Sequence, residues 1–164
     1  MTSVLVCGGR DFMHPIALIH MLDMYHHHYD ISELIHGGAR GADSMAERWA
    51  EKRDIPMKVF PAQWDKYGKS AGYVRNKQML VEGKPTEVIA FPGGKGTNMM
   101  IQLALDSDYS VWIVKICPEN RSLFNAKRYQ LGSDLLDSTC EDPKGIWNVQ
   151  MYNTTRGGSS YNGR

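Results

Sequence analysis

Residues 4–12 read Val-Leu-Val-Cys-Gly-Gly-Arg-Asp-Phe, a short apolar run that stops at two glycines. The same pattern occurs at residues 33–38, Glu-Leu-Ile-His-Gly-Gly, and at residues 87–94, Glu-Val-Ile-Ala-Phe-Pro-Gly-Gly. A short apolar run that ends at turn residues is typical of a buried β-strand. The chain therefore contains at least three predicted strands whose carboxyl ends lead into glycine-rich loops.

Segments with helical spacing of apolar residues separate these runs. Strands are predicted over residues 4–7, 33–36, 57–60, 87–91 and 111–116. Pro15 opens the first predicted helix, and further helices are predicted over residues 41–53, 71–81 and 96–105. The alternation of strand and helix predicts an α/β fold, with a parallel sheet, right-handed crossovers and helices on both faces.

The length of 164 residues suits one main domain. Residues 1–117 are predicted to form a nucleotide-binding core and residues 118–155 a C-terminal extension that packs on it. Within that extension the pattern is mixed and mostly polar, and residues 145–149 are interpreted either as one more short strand or as a docking segment. The glycine- and serine-rich residues 156–164 are predicted to be a disordered tail.

Composition narrows the function classes. The formal net charge of +1 provides no strong field for nucleic acid or for a membrane surface. The three cysteines are widely spaced and form no CxxC pair, which argues against a disulfide framework and against a zinc site. The first residues lack the features of a signal peptide, and no apolar stretch is long enough to span a membrane. We therefore expect a cytoplasmic protein that has no bound metal.

Three loops follow predicted strands, where ligands of parallel α/β sheets bind. The first contains Gly8, Gly9, Arg10 and Asp11. Glycines allow the backbone to approach an anion closely, and an arginine can pair with a phosphate. The alternative interpretation is a plain turn in which Arg10 and Asp11 pair with each other.

The second loop contains Gly37, Gly38, Arg40, Gly41 and Asp43, close to a predicted helix start. The free N–H groups and the dipole of a helix start favour a phosphate. Asp43 has two interpretations that the sequence leaves equally open. It complements the helix dipole, or it binds a ribose hydroxyl or acts as a base.

The third loop is the most specific string in the chain: Pro92, Gly93, Gly94, Lys95, Gly96 and Thr97. Three glycines before a predicted helix suggest a phosphate-binding loop. A Walker A loop requires a lysine followed directly by serine or threonine, whereas Gly96 separates Lys95 from Thr97. Magnesium-dependent NTP hydrolysis is therefore not implied, and we expect no cofactor.

A fourth segment supplies two aromatic residues, Trp64 and Tyr67, followed by Arg75 and Asn76 at the start of a predicted helix. The aromatic rings could stack on a base or could anchor the loop to the core, and the second interpretation is slightly favoured. Arg75 is interpreted either as a phosphate clamp or as a member of an ordinary salt bridge.

These four segments together, in this order, resemble the YspA/YpsA-related branch of the SLOG superfamily over residues 3–116. The resemblance implies a Rossmann-like fold and the binding of nucleotides or nucleotide-derived sugars. The superfamily includes phosphoribohydrolases that activate cytokinins, a DNA-uptake protein that binds single strands, and sensor domains of antiviral defence systems. The phosphoribohydrolases carry Pro-Gly-Gly-x-Gly-Thr-x-x-Glu, and their glutamate and an upstream arginine are the expected catalytic pair.

This chain departs from that motif at one position. Pro92 to Thr97 match it and Arg75 is a counterpart of the arginine, but Met100 occupies the position of the glutamate. Cleavage of an N-glycosidic bond requires stabilisation of a cationic sugar and protonation of the leaving base, and methionine does neither. Either another carboxylate, Asp11 or Asp43, has taken over this role, or the protein binds its ligand without cleaving it.

The resulting hypothesis is a protein that senses or sequesters a nucleotide, an ADP-ribose-like molecule or a phosphoribosyl compound; a phage-encoded protein would fit the sequestering role. One alternative is a nucleoside-phosphate N-glycosidase. The other is a single-stranded nucleic acid binder, against which the near-neutral charge counts.

The expected partner is a nucleotide-derived small molecule and not a membrane. Whether the protein forms a homo-oligomer is left open. No catalytic residue is assigned. The candidate ligand-binding residues are Gly8, Gly9, Arg10, Asp11, Gly37, Gly38, Arg40, Gly41, Asp43, Trp64, Arg75, Asn76, Pro92, Gly93, Gly94, Lys95, Gly96 and Thr97.

Overall fold

A computed structural model describes residues 1–116, 124–131 and 148–154. The strands are β1 Thr2–Cys7, β2 Ile31–His36, β3 Met57–Val59, β4 Glu87–Ala90, β5 Ser110–Ile116, β6 Phe124–Leu131 and β7 Asn148–Thr154. The helices are α1 Pro15–Tyr29, α2 Ala42–Glu51, α3 Trp64–Tyr67, α4 Ala71–Val81 and α5 Lys95–Asp106, with a 3₁₀ turn at Gly68–Ser70.

The seven strands form one sheet in the order β3-β2-β1-β4-β5-β6-β7. The first five strands all pair in parallel, which confirms the predicted Rossmann-like α/β fold. From β1 the chain moves to β2 and β3 on one side of the sheet, and then to β4 and β5 on the other. The carboxyl ends of β1 and β4 therefore flank the point where strand order reverses, which is the usual ligand crevice of such sheets.

Helices cover both faces of the sheet, as the sequence predicts. On one face Val4 and Val6 of β1 belong to a core cluster that includes residues of α1 and α2. On the other face Leu5 and Cys7 belong to a second cluster with residues of α4 and α5. Because β1 is buried on both sides, its apolar residues are consecutive rather than alternating.

Two parts of the chain differ from the sequence-based expectation. Residues 61–70, interpreted as a loop, contain the short helix α3 and the 3₁₀ turn. Strand β6 lies in the segment for which no strand was predicted, and it pairs antiparallel with β5. Strand pairing uses backbone groups, so a mostly polar segment that pairs with a strand on each side can form a strand without an apolar pattern.

The C-terminal predictions are tested only in part. Strand β7 pairs in parallel with β6 and begins at Asn148, so the predicted strand over residues 145–149 overlaps it by two residues. The predicted tail, residues 156–164, lies outside the described residues. Within the described parts of the chain, none of the helices has the length and apolar character needed to cross a membrane.

Candidate functional site

A cavity of about 360 Å³ opens at the carboxyl ends of the central strands, at the point where strand order reverses. We call it the central cavity. It brings together ten of the predicted ligand-binding residues: Gly8, Gly9, Arg10, Asp43, Trp64, Arg75, Asn76, Gly94, Gly96 and Thr97. Five residues that sequence reasoning missed also line it: Cys7, Ala39, Gly72, Met79 and Met99.

Two further cavities adjoin the central cavity, and most of the other predicted ligand-binding residues line one of them. Gly37, Gly38 and Arg40 line a cavity of about 410 Å³, called the β2-side cavity. Asp11, Pro92 and Gly93 line a cavity of about 710 Å³ towards β5. Gly41 and Lys95 line none of these three cavities.

Arg75 connects the loops that meet in the central cavity. Its Nη1 donates a hydrogen bond to the carbonyl oxygen of Gly37 at 2.8 Å, and its Nε donates to Oδ1 of Asn76 at 3.0 Å. Asn76 in turn donates from Nδ2 to the carbonyl oxygen of Gly96 at 3.2 Å. Helix α4 therefore ties the loop after β2 to the first turn of α5.

Burial and a neighbouring carboxylate shift the pKa of Arg75 in opposite directions. Desolvation of the guanidinium lowers its pKa, and the nearby Asp43 carboxylate opposes that shift. No salt bridge joins the two side chains within the described residues, because their charged atoms do not approach within 4.0 Å. A partly desolvated cation that lines a cavity favours an anionic ligand.

Gly37 is needed for this arrangement. A side chain at residue 37 would place its Cβ atom inside the space that the Arg75 guanidinium occupies. The first glycine of the double-glycine loop thus makes room for an arginine of the protein. It does not simply allow a ligand to approach the backbone.

Asp43 has a clear structural role. Its Oδ2 accepts hydrogen bonds from the backbone N–H groups of Gly37 and Ala39, at 3.1 and 3.2 Å. Its side chain is buried, and burial raises the pKa of the carboxyl group. Because Gly38 also donates its N–H to Nδ1 of His36, three consecutive N–H groups of this loop already have acceptors. They are not available to bind a phosphate.

The two predicted helix starts also differ. At α2, the N–H of Ala42 donates to the carbonyl oxygen of Gly9 at 3.3 Å, so the first loop covers this helix end. At α5, the residue before the helix, Gly94, provides no side-chain cap, and Gly41 before α2 provides none either. A Cβ atom on Gly94 or Gly96 would meet no atom within 4 Å. The first-turn N–H groups of a helix have no partner within the helix. The start of α5 is therefore the more open of the two.

The sequence left open that Arg10 and Asp11 pair with each other, and the structure shows a different pairing. Asp11 accepts from Arg40 at 3.2 Å, not from Arg10, and both partners of this pair are exposed. The guanidinium carbon of Arg10 lies 5.3 Å from the ring centroid of Trp64. Trp64 is 48% exposed, which argues against the interpretation that it anchors its loop to the core.

Met100 does not face the central cavity. It is fully buried in the core cluster on the α4 and α5 side of the sheet, together with Cys7 and Met79. The neighbouring Met99 lines the cavity instead. Burial strongly raises the pKa of the Cys7 thiol, so this residue contributes an apolar wall and no thiolate nucleophile.

Most residues that sequence reasoning missed have an apolar or very small side chain and carry no chemical signal. Cys7 is the exception, since the last residue of a strand before a glycine loop is a position that borders the ligand crevice. Among the described residues, no group of three or more histidine, cysteine, aspartate or glutamate side chains could hold a metal ion.

Comparison with known proteins yields a family match and one phage relative. Residues 2–67 match the model of the YspA, cpYpsA-related SLOG family. Gene 61 protein of Mycobacterium phage D29 is 39% identical over 70 residues, which are 40% of this chain and 55% of the phage protein. The chain thus spans little more than half the length of this curated relative. No solved structure matches it. The part of the chain that matches the YspA, cpYpsA-related SLOG family, residues 2–67, is the part that carries the first two glycine loops.

Proposed function

We propose that this protein binds a nucleotide-derived ligand in the central cavity and holds it intact, as a sensor or a sequestering protein. The observation that carries the proposal is that Arg75 and the open start of α5 border the same cavity. An arginine and a helix N-terminus are two of the commonest partners of a phosphate group. Membership of residues 2–67 in a SLOG family supports a nucleotide-related ligand.

The ligand has a defined orientation in this proposal. Its phosphate lies at the first turn of α5, against Gly94, Gly96 and Thr97, where the first-turn backbone N–H groups have no partner within the helix. Arg75 neutralises the phosphate while Asn76 and Gly37 hold the guanidinium in position. The loop after β2 supports Arg75 and does not contact the phosphate through its own N–H groups, since these are bound to Asp43 and His36.

Retention of an intact ligand follows from the positions of the carboxylates. Met100 stands where the related hydrolases have glutamate and is buried in the core. Asp11 is exposed and paired with Arg40, and it lies outside the central cavity. Loss of general acid–base help lowers a rate by about a hundredfold to ten-thousandfold. We therefore expect very slow turnover of nucleoside monophosphates.

A nucleoside-phosphate N-glycosidase remains the second candidate because of one residue. Asp43 lines the central cavity, and burial raises the pKa of its carboxyl group, as a general acid requires. Against this, its Oδ2 is already engaged with two backbone N–H groups.

The binding experiment uses calorimetry with AMP, other nucleoside monophosphates and ADP-ribose. Replacement of Arg75 by alanine should weaken binding by tenfold or more, because a hydrogen bond to a charged group contributes about 1.5–3 kcal/mol. Arg48→Ala, an exposed arginine on α2 that lines no described cavity, is the matched control and should bind like the wild type. Wild-type affinity in Arg75→Ala would contradict the proposed phosphate position.

Chromatography of the same incubations decides between binding and cleavage. The proposal expects recovered ligand and no free base. Multiple-turnover release of free base that is abolished in Asp43→Asn would establish the glycosidase. Native mass spectrometry of protein purified from cells would give the mass of a retained ligand directly.

The biological setting belongs to the proposal as well. We expect the protein to act in the cytoplasm, where nucleotide signals circulate. The relative from a phage suits a protein that removes such a signal from an infected cell.

A further inference from the structure

The β2-side cavity has no role in the phosphate site, although it shares a boundary with it. Arg10, Ala39 and Trp64 line both this cavity and the central cavity. The remaining lining residues of the β2-side cavity include Pro61, Ala62 and the glycines of the loop after β2. Its volume of about 410 Å³ is within the range of small-molecule sites.

Trp64 supplies the large flat surface of this cavity. It is the first residue of α3 and is 48% exposed, and the end of its ring lies next to Gly72 at the start of α4. The guanidinium of Arg10 lies over the ring, 5.3 Å from its centroid. Apart from Arg10 and Arg40, the residues that line this cavity with Trp64 are small. An exposed indole that already carries a planar cation has the properties of a stacking platform.

We propose that the β2-side cavity is the base subsite, in which the aromatic base of the ligand stacks on Trp64 while the ribose and phosphate extend past Arg10 into the central cavity. This inference rests on the proposed function, since it divides the same ligand between two cavities. It identifies the ligand class as one that carries an aromatic base, which excludes a phosphoribosyl compound without a base. Arg10 leaves the indole when the base stacks and then faces the ribose at the junction of the cavities.

Calorimetry with AMP and ribose 5-phosphate tests this division, because the two ligands differ only in the base and the anomeric hydroxyl. The wild-type protein should bind AMP about five- to a hundredfold more tightly than ribose 5-phosphate. This ratio corresponds to the contribution that stacking of a base on an aromatic side chain makes to the free energy of binding. Trp64→Ala should bind AMP no better than ribose 5-phosphate and should keep its affinity for ribose 5-phosphate. That retained affinity also shows that the variant is folded.

Two control variants sharpen the result. Trp64→Phe keeps an aromatic face and should retain most of the advantage of AMP. We also expect AMP to quench tryptophan emission in the wild type through Trp64, and this quenching should be weaker in Trp64→Phe. Tyr73→Ala removes an exposed aromatic residue of α4 that lines none of the three described cavities, and it should bind both ligands like the wild type.

The possible outcomes separate this inference from the proposed function. If AMP and ribose 5-phosphate bind equally well to the wild type, or if Trp64→Ala keeps the advantage of AMP, the base subsite is wrong and the phosphate site stands. Loss of ribose 5-phosphate binding in both Trp64 variants would make Trp64 a residue of the fold and overturn the inference. If the wild type binds neither ligand, both proposals fail.

Discussion

Two buried polar residues, His36 at the end of β2 and Asp43 in the first turn of α2, determine the shape of the loop between them. Nδ1 of His36 accepts the N–H of Gly38, and Oδ2 of Asp43 accepts those of Gly37 and Ala39. Nε2 of His36 is buried and has no hydrogen-bond partner among the described residues. A buried donor without a partner costs free energy, so the contact with Gly38 must offset part of that cost.

The stability of the protein should depend on pH through His36. Burial lowers the pKa of His36 below the ordinary value of 6.5, so the unfolded chain binds a proton before the folded protein does. The stability that neutral His36 contributes is present above pH 6.5 and is lost as the pH falls through the lowered pKa of the folded protein. Urea unfolding at a series of pH values between about 5 and 8 measures this loss.

The variant His36→Asn keeps an acceptor for Gly38 but does not titrate in this range. It should lose less unfolding free energy than the wild type as the pH falls. His28→Gln, at the exposed end of α1, should keep the wild-type dependence. If His36→Asn and the wild type show the same dependence on pH, His36 is not the group responsible.

At the scale of loops and helix starts, Gly37 and Gly94 have two different structural roles. Gly37 gives space to a side chain of the protein, because a Cβ atom there would overlap the Arg75 guanidinium. Gly94 borders the central cavity, and a Cβ atom there would meet no protein atom within 4 Å. The first glycine serves packing, and the second leaves the start of α5 open to a ligand.

Two glycine substitutions should therefore both weaken binding but differ in their effect on the free energy of unfolding. Gly37→Ala should lower the free energy of unfolding by about 1–3 kcal/mol and weaken nucleotide binding, because Arg75 must leave its position. Gly94→Val should change the free energy of unfolding by less than about 0.5 kcal/mol and still weaken binding, because its side chain enters the cavity. Urea unfolding and calorimetry measure the two quantities on each variant. Wild-type affinity in Gly94→Val would make the loop only a turn, and wild-type stability in Gly37→Ala would contradict the packing argument.

For the whole molecule, the parallel sheet brings together segments that are far apart in the chain. The central cavity receives residues from positions 7–10, 39–43, 64–79 and 94–99. The reversal of strand order at β1 and β4 separates the loops there and opens the space between them. The positive charges that border this space come from Arg10, Arg75 and the start of α5, and the last two are the groups that the proposed function assigns to an anionic ligand.

Ligand binding should therefore be insensitive to a chelator. AMP at one hundred times its Kd should raise the free energy of unfolding by about 2.7 kcal/mol in EDTA and in magnesium alike. This follows because Lys95 and Thr97 are not adjacent and so do not form the Lys-Ser/Thr pair that magnesium–nucleotide sites use. A tenfold weaker affinity in EDTA would show that a divalent cation belongs to the site.

The secondary structure of the core could be predicted because it depends on local patterns. The predicted helix over residues 71–81 coincides with α4, and the helix opened by Pro15 begins at that residue. The loops that follow strands ending at double glycines line the three cavities at the carboxyl edge of the sheet, and the binding of a ligand at that edge stays a prediction. The family resemblance was confirmed for residues 2–67. Strand β6 was not predicted, because its pairing with β5 depends on backbone groups that leave no mark on side-chain type.

The sequence by itself determined which segments are strands, which are helices and which loops carry glycine, because chain stiffness and the spacing of apolar residues act over a few positions. Only the tertiary structure decided which side chains line the central cavity and which turn away from it. Asp43 is turned inward to hold its own loop, Arg40 pairs with Asp11, and Met100 points into the core. The direction of each of these side chains depends on what packs against its helix or loop. Those partners, such as Arg75 beside Gly37, lie tens of residues away in the chain.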